Sequence, residues 1–210
     1  AFPLIYLAAL TVGYFYSALD GKELLTERDL SVFFIPPRIL WIESVKNLEW
    51  PLWNPYIYAG HPLLATLQPG VFYPVNIILL LLPFDAAFNL SIIVHFFLAG
   101  VFGYLLLKEL KAGFTGSLLG ALIFMLSGYL FSTHNVMSTL FSAAWAPITL
   151  MLLLRAVKKG SAGYAALTGV TLAVMFTGGG IEVVFAAVIL LGVAAAFPSA
   201  IDPDASSEDY

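Results

Sequence analysis

The sequence has no cysteine, which excludes disulfides and thiolate metal sites and leaves the redox compartment unmarked. Charge is nearly as scarce. Asp, Glu, Lys and Arg make up 10% of the chain, against about a quarter in an ordinary soluble domain. Lys and Arg number 9 against 13 Asp and Glu, for a net charge of −4, so there is no basic field to hold nucleic acid. Histidine occurs three times. What fills the 210 residues instead is hydrocarbon: 60% are hydrophobic and the mean hydropathy is +0.93. Most of these side chains have no business facing water, and the class expected is an all-α integral membrane protein.

A crossing needs roughly 20 apolar residues. Uncharged runs of that order are Ala1–Leu19, Ala86–Leu107, Ala112–Leu154, Gly160–Ile181 and Val183–Ile201. The third is long enough for two spans and is broken by "THNVMST" from Thr133 to Thr139. About six transmembrane helices are therefore expected, in a single helical membrane domain over residues 1–201 with an acidic tail at 202–210. The first run lacks a basic flank and reads as a membrane helix, not a signal peptide. Val75–Leu82, bounded by Pro74 and Pro83, is apolar but short, and is expected to be re-entrant or interfacial. Lys108, Lys111, Arg155, Lys158 and Lys159 then fall on one side, cytoplasmic by the positive-inside tendency. The tail is placed with them, and the loop 20–85 on the outer side.

That loop divides into three. Asp20–Phe34 opens with the turn signal Asp-Gly and carries a cluster of charge. Pro36–Trp50 has Pro-Pro where a helix can start. Trp41, Ile42, Val45 and Leu48 share one face there, with Arg38, Glu43, Lys46 and Asn47 elsewhere, so an amphipathic interfacial helix is expected. Pro51–Asn76, including "LWNPYIYAGHP", is too rich in proline for regular structure. Its aromatics Trp53, Tyr56, Tyr58 and Tyr73, with Trp50 before them, suit the headgroup level.

Polar groups converge on the outer side: Asp20, Glu27, Arg28, Asp29, Asn54, His61 and Gln68 from the loop, His134 and Asn135 from one turn, and Glu182 from another. Ionisable groups at membrane depth are costly unless paired or lining a wet cavity. For Asp20, Lys22 and Glu23 ordinary solvation is the plainer reading, and for His134 a helix cap. His95, alone in a span, reads as an interhelical packing or hydrogen-bonding residue, with an axial role toward a haem or chlorophyll as the weaker option. Glu182 follows three glycines, which favour a backbone that bends or approaches something closely, and it has no partner nearby in sequence.

The order of these elements resembles the bacterial YfhO-like membrane proteins. The resemblance rests on an Asp after the first crossing, an amphipathic loop helix, "PLWNPYIYAGHPLLA", "FYPVN" and a short apolar helix. It continues through "HFFLAGVFGYLLLKEL", "GALIFMLSGY…H" and "AAWAPITLMLLL". That family belongs to the GT-C class of integral-membrane glycosyltransferases, which use polyprenyl-phosphate-linked sugars. The resemblance implies a multi-pass protein of the bacterial plasma membrane, with its large loop extracytoplasmic. It implies Asp29 as the acidic residue of the first outer loop and the catalytic base. Trp53, Asn54, Pro55, Gly60 and His61 fall on the family's Trp-Asn-Pro turn, and His134 on its later histidine. Family members have many more crossings, so a fragment or a shortened relative is expected.

Transfer of a sugar from a polyprenyl phosphate needs a carboxylate to take the acceptor's proton, the role given to Asp29. It also needs something to offset charge on the departing phosphate. Arg28, Arg38, His61 and His134 are candidates, with Trp53, Asn54 and Glu182 completing the substrate-binding set. In an alternative arrangement Asp29 and Glu182 share a divalent ion, Mg or Mn. Two rival readings stand beside this one. The chain could serve as a non-catalytic docking subunit of a larger membrane complex, partnered by other membrane subunits. A transporter is the weakest of the three, because no inverted repeat is visible and the polar groups gather at one face.

Overall fold

The computed structural model describes residues 2–19, 24–26 and 28–197. Asp20, Lys22, Glu23, Glu27 and the acidic tail lie outside the described residues. The architecture is helical. Three helical stretches are long and apolar enough to cross a membrane: α4 (Phe84–Glu109), residues Gly113–Thr133, and α7 (Met137–Lys159). Three further apolar helices are shorter: α1 (Phe2–Tyr14), α8 (Ala162–Gly178) and α9 (Ile181–Ala196). The stretch Gly113–Thr133 comprises α5 (Gly113–Met125) and α6 (Gly128–Thr133). Ser127 caps α6 by accepting the Leu130 N–H at 3.2 Å. The break expected within "THNVMST" falls between Thr133 and Met137.

α4 and α7 run side by side at the centre. α5 packs on α4 through small residues: a Cβ on Gly120 would meet Leu107 at 2.3 Å, and one on Gly100 would meet Met125 at 2.6 Å. Close backbone approach of this kind is how apolar helices associate without a hydrophobic driving force between them. The outer faces of α8 and α9 instead leave Val170, Phe176, Phe185, Ile189 and Val193 exposed. Apolar surface of that extent wants a non-aqueous neighbour, as lipid provides.

Two relationships fix which connections share an end. Arg155 makes an ion pair with Glu109 at 2.6 Å, joining the C-terminal ends of α7 and α4. Lys108, Lys111, Lys158 and Lys159 therefore gather at that end, as their placement in the sequence requires. At the opposite end Gly179, in the α8–α9 turn with φ +92°, lies so near residue 67 that a Cβ would sit 3.4 Å from the Leu67 carbonyl. Gly180 is tighter still, with a Cβ position 2.6 Å from the Ser138 oxygen. Its N–H donates to Ser142 Oγ, which in turn donates to the Met175 carbonyl. The glycine run is needed because three helices meet where it turns.

The long segment between α1 and α4 covers this loop end. It enters as a π-turn (Leu30–Phe34) that continues into α2 (Ile35–Lys46), with prolines in the first turn where no N–H partner is lost. Pro74–Ile77 and α3 (Ile78–Leu81) form a short helical passage ending before Pro83. Asn89, buried in α4, ties the segment down: it donates to the Ala18 carbonyl at 2.9 Å and accepts the Leu25 N–H at 2.8 Å.

Two expectations need correction. The proline-rich stretch does contain regular structure, a short hairpin in which β1 (Trp53–Asn54) pairs antiparallel with β2 (His61–Pro62). Arg38 is not on an outward face of α2. It is 1% exposed and shares the core-facing stripe with Phe34, Pro37, Trp41 and Ile42, while Leu48 is 95% exposed. The helix stacks the guanidinium between aromatic rings, 5.5 Å from Phe34 and 5.9 Å from Phe141, and cation–π contact of this kind lets a charge leave water.

Candidate functional site

The hairpin is shaped by its own residues. Asn54 is buried and accepts the Tyr56 N–H on Oδ1 at 3.0 Å, an Asx turn that starts the bend. Tyr58, Ala59 and Gly60 then adopt positive φ, and Gly60 N–H closes on the Ile57 carbonyl at 2.8 Å. Gly60 (φ +101°) lies against the Trp53 indole, so no side chain fits there. The strand ends are joined again by Leu63 N–H to the Leu52 carbonyl at 2.9 Å.

Between this hairpin and α2 lies a cavity of about 360 Å³. Pro36, Ile39, Leu40 and Glu43 supply one wall, a stripe at helical spacing on α2. Val32 and Phe33 extend it, and Asn54, Tyr56, Ile57, His61 and Gln68 close the other side. α2 is thus apolar on two faces, one packed into the core and one lining the cavity. His61 Nε2 is buried with no hydrogen-bond partner among the described residues. The volume is within the range of small-molecule sites, which are mostly apolar with a few placed polar groups.

The residues singled out from the sequence divide among several places. His61 and Asn54 line the cavity, together with Gln68. Trp53 is half exposed and supports Gly60 from outside the lining. Asp29 and Arg28 are exposed at the start of the π-turn whose Val32 and Phe33 wall the cavity, and Arg28 sits at φ +46°. Arg38 turns away from the cavity into the core. His134 ends α6, with Nδ1 donating to the Phe131 carbonyl at 2.5 Å, and lines a separate small pocket with Tyr14, Leu25 and Phe96. Glu182 opens α9 and accepts a hydrogen bond from Thr139 on α7, a partner far away in sequence.

Among the described residues no group of three His, Asp or Glu side chains is gathered as a metal site. No hydrogen bond joins Asp29 to Glu182, which is held by Thr139.

Two features escaped the sequence reading. Glu43 is exposed, as its place off the apolar face of α2 requires, and it also continues the stripe 36, 39, 40, 43 that lines the cavity. The other feature is a buried relay beneath the loop. Trp145 Nε1–H donates to Tyr73 Oη at 2.7 Å, and Tyr73 hydrogen-bonds His95 Nε2. His95 Nδ1 bonds the Ser91 carbonyl, which can only accept. That fixes Nδ1 as the protonated nitrogen, so Tyr73 donates to Nε2. Phe141 stacks on the imidazole at 3.9 Å between ring centroids. Both ring nitrogens are engaged, one to the loop residue Tyr73 and one within α4, so no lone pair is left for a haem or chlorophyll, and the contact of His95 with α7 is the packing of its ring on Phe141.

No family model, curated protein or solved structure matches the chain.

Proposed function

We propose that the chain binds a polyprenyl-phosphate-linked sugar at the outer face of a membrane and takes part in GT-C-like transfer of that sugar to an acceptor. The observation that carries this reading is the cavity between α2 and the hairpin. It has mostly apolar walls, with the polar side chains of Asn54 and His61 set into them and those of Glu43 and Gln68 exposed along them. A lipid-linked sugar has the matching division into hydrocarbon and hydroxyls. The bundle below, with helices long and apolar enough to span, is where its tail would lie.

In this reading Asp29 is the base that takes the acceptor proton, standing about one helical turn along the chain from Phe33 of the cavity wall. The hairpin roofs the sugar, and the loop end faces outward because the cations collect at the other end. The test is sugar transfer from a polyprenyl-phosphate donor by the chain reconstituted in vesicles. Asp29→Asn is expected to lower transfer by about a hundredfold or more while leaving donor retention intact. Equal transfer by the variant overturns the role of Asp29.

A second reading, a docking subunit of a larger membrane complex, has its own observation. Leu48, Trp50, Tyr56 and Tyr58 are each at least 72% exposed on the loop, and aromatic residues are enriched where proteins meet. Co-purification with other membrane subunits at fixed stoichiometry, with no lipid-linked sugar retained, would favour it.

A further inference from the structure

We infer that the cavity recognises the uncharged hydroxyl groups of a glycosyl head and leaves the phosphate outside. This rests on the proposed function and specifies which part of the ligand the site reads. Among the described residues the lining contains a carboxyl group, two carboxamides and an imidazole, and no Lys or Arg. The basic residue nearest in sequence, Arg38, is spent in the core, where its Nη1 donates to the Phe34 carbonyl at 3.0 Å. A phosphate here would meet Glu43 and no cation among the described lining residues, an arrangement that selects against anions.

Hydroxyls meet the opposite situation. Glu43 offers acceptor oxygens to two neighbouring hydroxyls, and Asn54 and Gln68 each carry both donor and acceptor capacity. Among the described residues of the lining, His61 Nε2 is a buried atom without a hydrogen-bond partner, and buried polar atoms left unpaired are uncommon enough to call for a partner. A sugar hydroxyl can either donate to that nitrogen or accept from it, so it satisfies either tautomer. Phe33 and Tyr56 supply ring surface for the C–H faces of a pyranose, and about 360 Å³ accommodates one monosaccharide with the first carbons of its aglycone.

The test uses the full chain in phosphatidylcholine nanodiscs, with saturation-transfer NMR on two kinds of probe. One is a panel of hexyl glycosides (glucoside, galactoside, mannoside and N-acetylglucosaminide), the other hexyl phosphate; protein-free nanodiscs set the background. At least one glycoside is expected to bind, and hexyl phosphate to stay at background. Glu43→Gln and His61→Gln are each expected to weaken the glycoside about tenfold, as loss of a charge-assisted or buried hydrogen bond does. Glu43→Lys is expected to exchange the preference, losing glycoside and gaining phosphate. Unchanged thermal melting of the variants shows that they fold.

Binding of hexyl phosphate as tight as that of any glycoside overturns the inference, as does glycoside binding indifferent to all three variants or absent altogether. The two readings fail separately. Retention of a polyprenyl-phosphate sugar that hexyl phosphate displaces and glycosides do not would sink the inference and leave the proposed function standing. Glycoside binding dependent on Glu43, without any transfer from a polyprenyl donor, would do the reverse.

Discussion

Gly60 and Trp53 occupy one space: a Cβ placed on Gly60 would lie 2.6 Å from the indole ring. The contact holds the hairpin tip against its first strand, and through Asn54 and His61 it sets one side of the cavity. Gly60→Ala combines that clash with a φ of +101°, which a side chain tolerates poorly. A local cost of about 1–3 kcal/mol is expected. Because the hairpin lies over the bundle and not within it, the loss should appear as faster amide exchange over residues 52–63 and weaker glycoside binding. Thermal melting of the helices should hardly move. A variant with unchanged exchange would mean that the indole simply swings aside.

The relay from Trp145 through Tyr73 to His95 predicts a different kind of failure. Tyr73→Phe keeps the ring stacked near Phe141, at 5.1 Å between centroids in the native chain, but removes both the acceptor for Trp145 and the donor for His95. Each buried group left unpaired costs about 1–3 kcal/mol. The variant should therefore melt several degrees lower in detergent or nanodiscs, with its helix content retained. Burial holds the Tyr73 hydroxyl well above its usual titration range, so the loss should not depend on pH between 6 and 9, and melting at both ends of that range checks it.

Asn89 gives a third test. It bridges the Ala18 carbonyl and the Leu25 N–H from inside α4. Asn89→Leu preserves volume and suits the helix, but strands both backbone groups. The connection after α1 should then open: faster exchange at Leu25 and earlier proteolytic cutting near that residue, about 1–3 kcal/mol in local stability. Equal protection in the two proteins would show that packing, not the amide, holds the segment.

These elements were unequally legible in the sequence. Apolar run lengths located the helices well, because burial from water acts on every residue of a span at once. The turn at Thr133–Met137 and the close approach of Gly178–Gly180 were visible for the same local reason: polar or missing side chains interrupt a uniform signal. The crossing count was not settled, since α1, α8 and α9 are apolar but shorter than a full span. Partnerships across the fold were not readable. Tyr73, His95 and Trp145 come from three separate elements, and Thr139 and Glu182 from two, with no spacing rule joining them. The hairpin was missed because proline argues against strands, yet Pro62 at the edge of a two-residue ladder removes no needed hydrogen bond.

Arg38 shows most clearly where residue type misleads. A guanidinium is assigned to water by default, yet here it is nearly fully buried, with Nε unpartnered among the described residues. Desolvation lowers its pKa from the usual guanidinium range to about 9. The folded form therefore binds the proton more weakly than the unfolded form, and stability rises as the pH climbs above about 9. Below pH 9 the full penalty is present and constant. Arg38→Met fills similar volume without the charge, and replacement of buried charge by apolar side chains is often neutral or stabilising, by up to about 4 kcal/mol. The variant should melt no lower than the native chain at pH 7, and its advantage should narrow as pH is raised to about 10.5. Loss of the Phe34 and Phe141 stacking works against the gain, so the pH trend is the sharper measurement. A native chain that melts well above the variant at pH 7, with no narrowing, would mean that the arginine is stabilised by those aromatic faces beyond the cost of burying it.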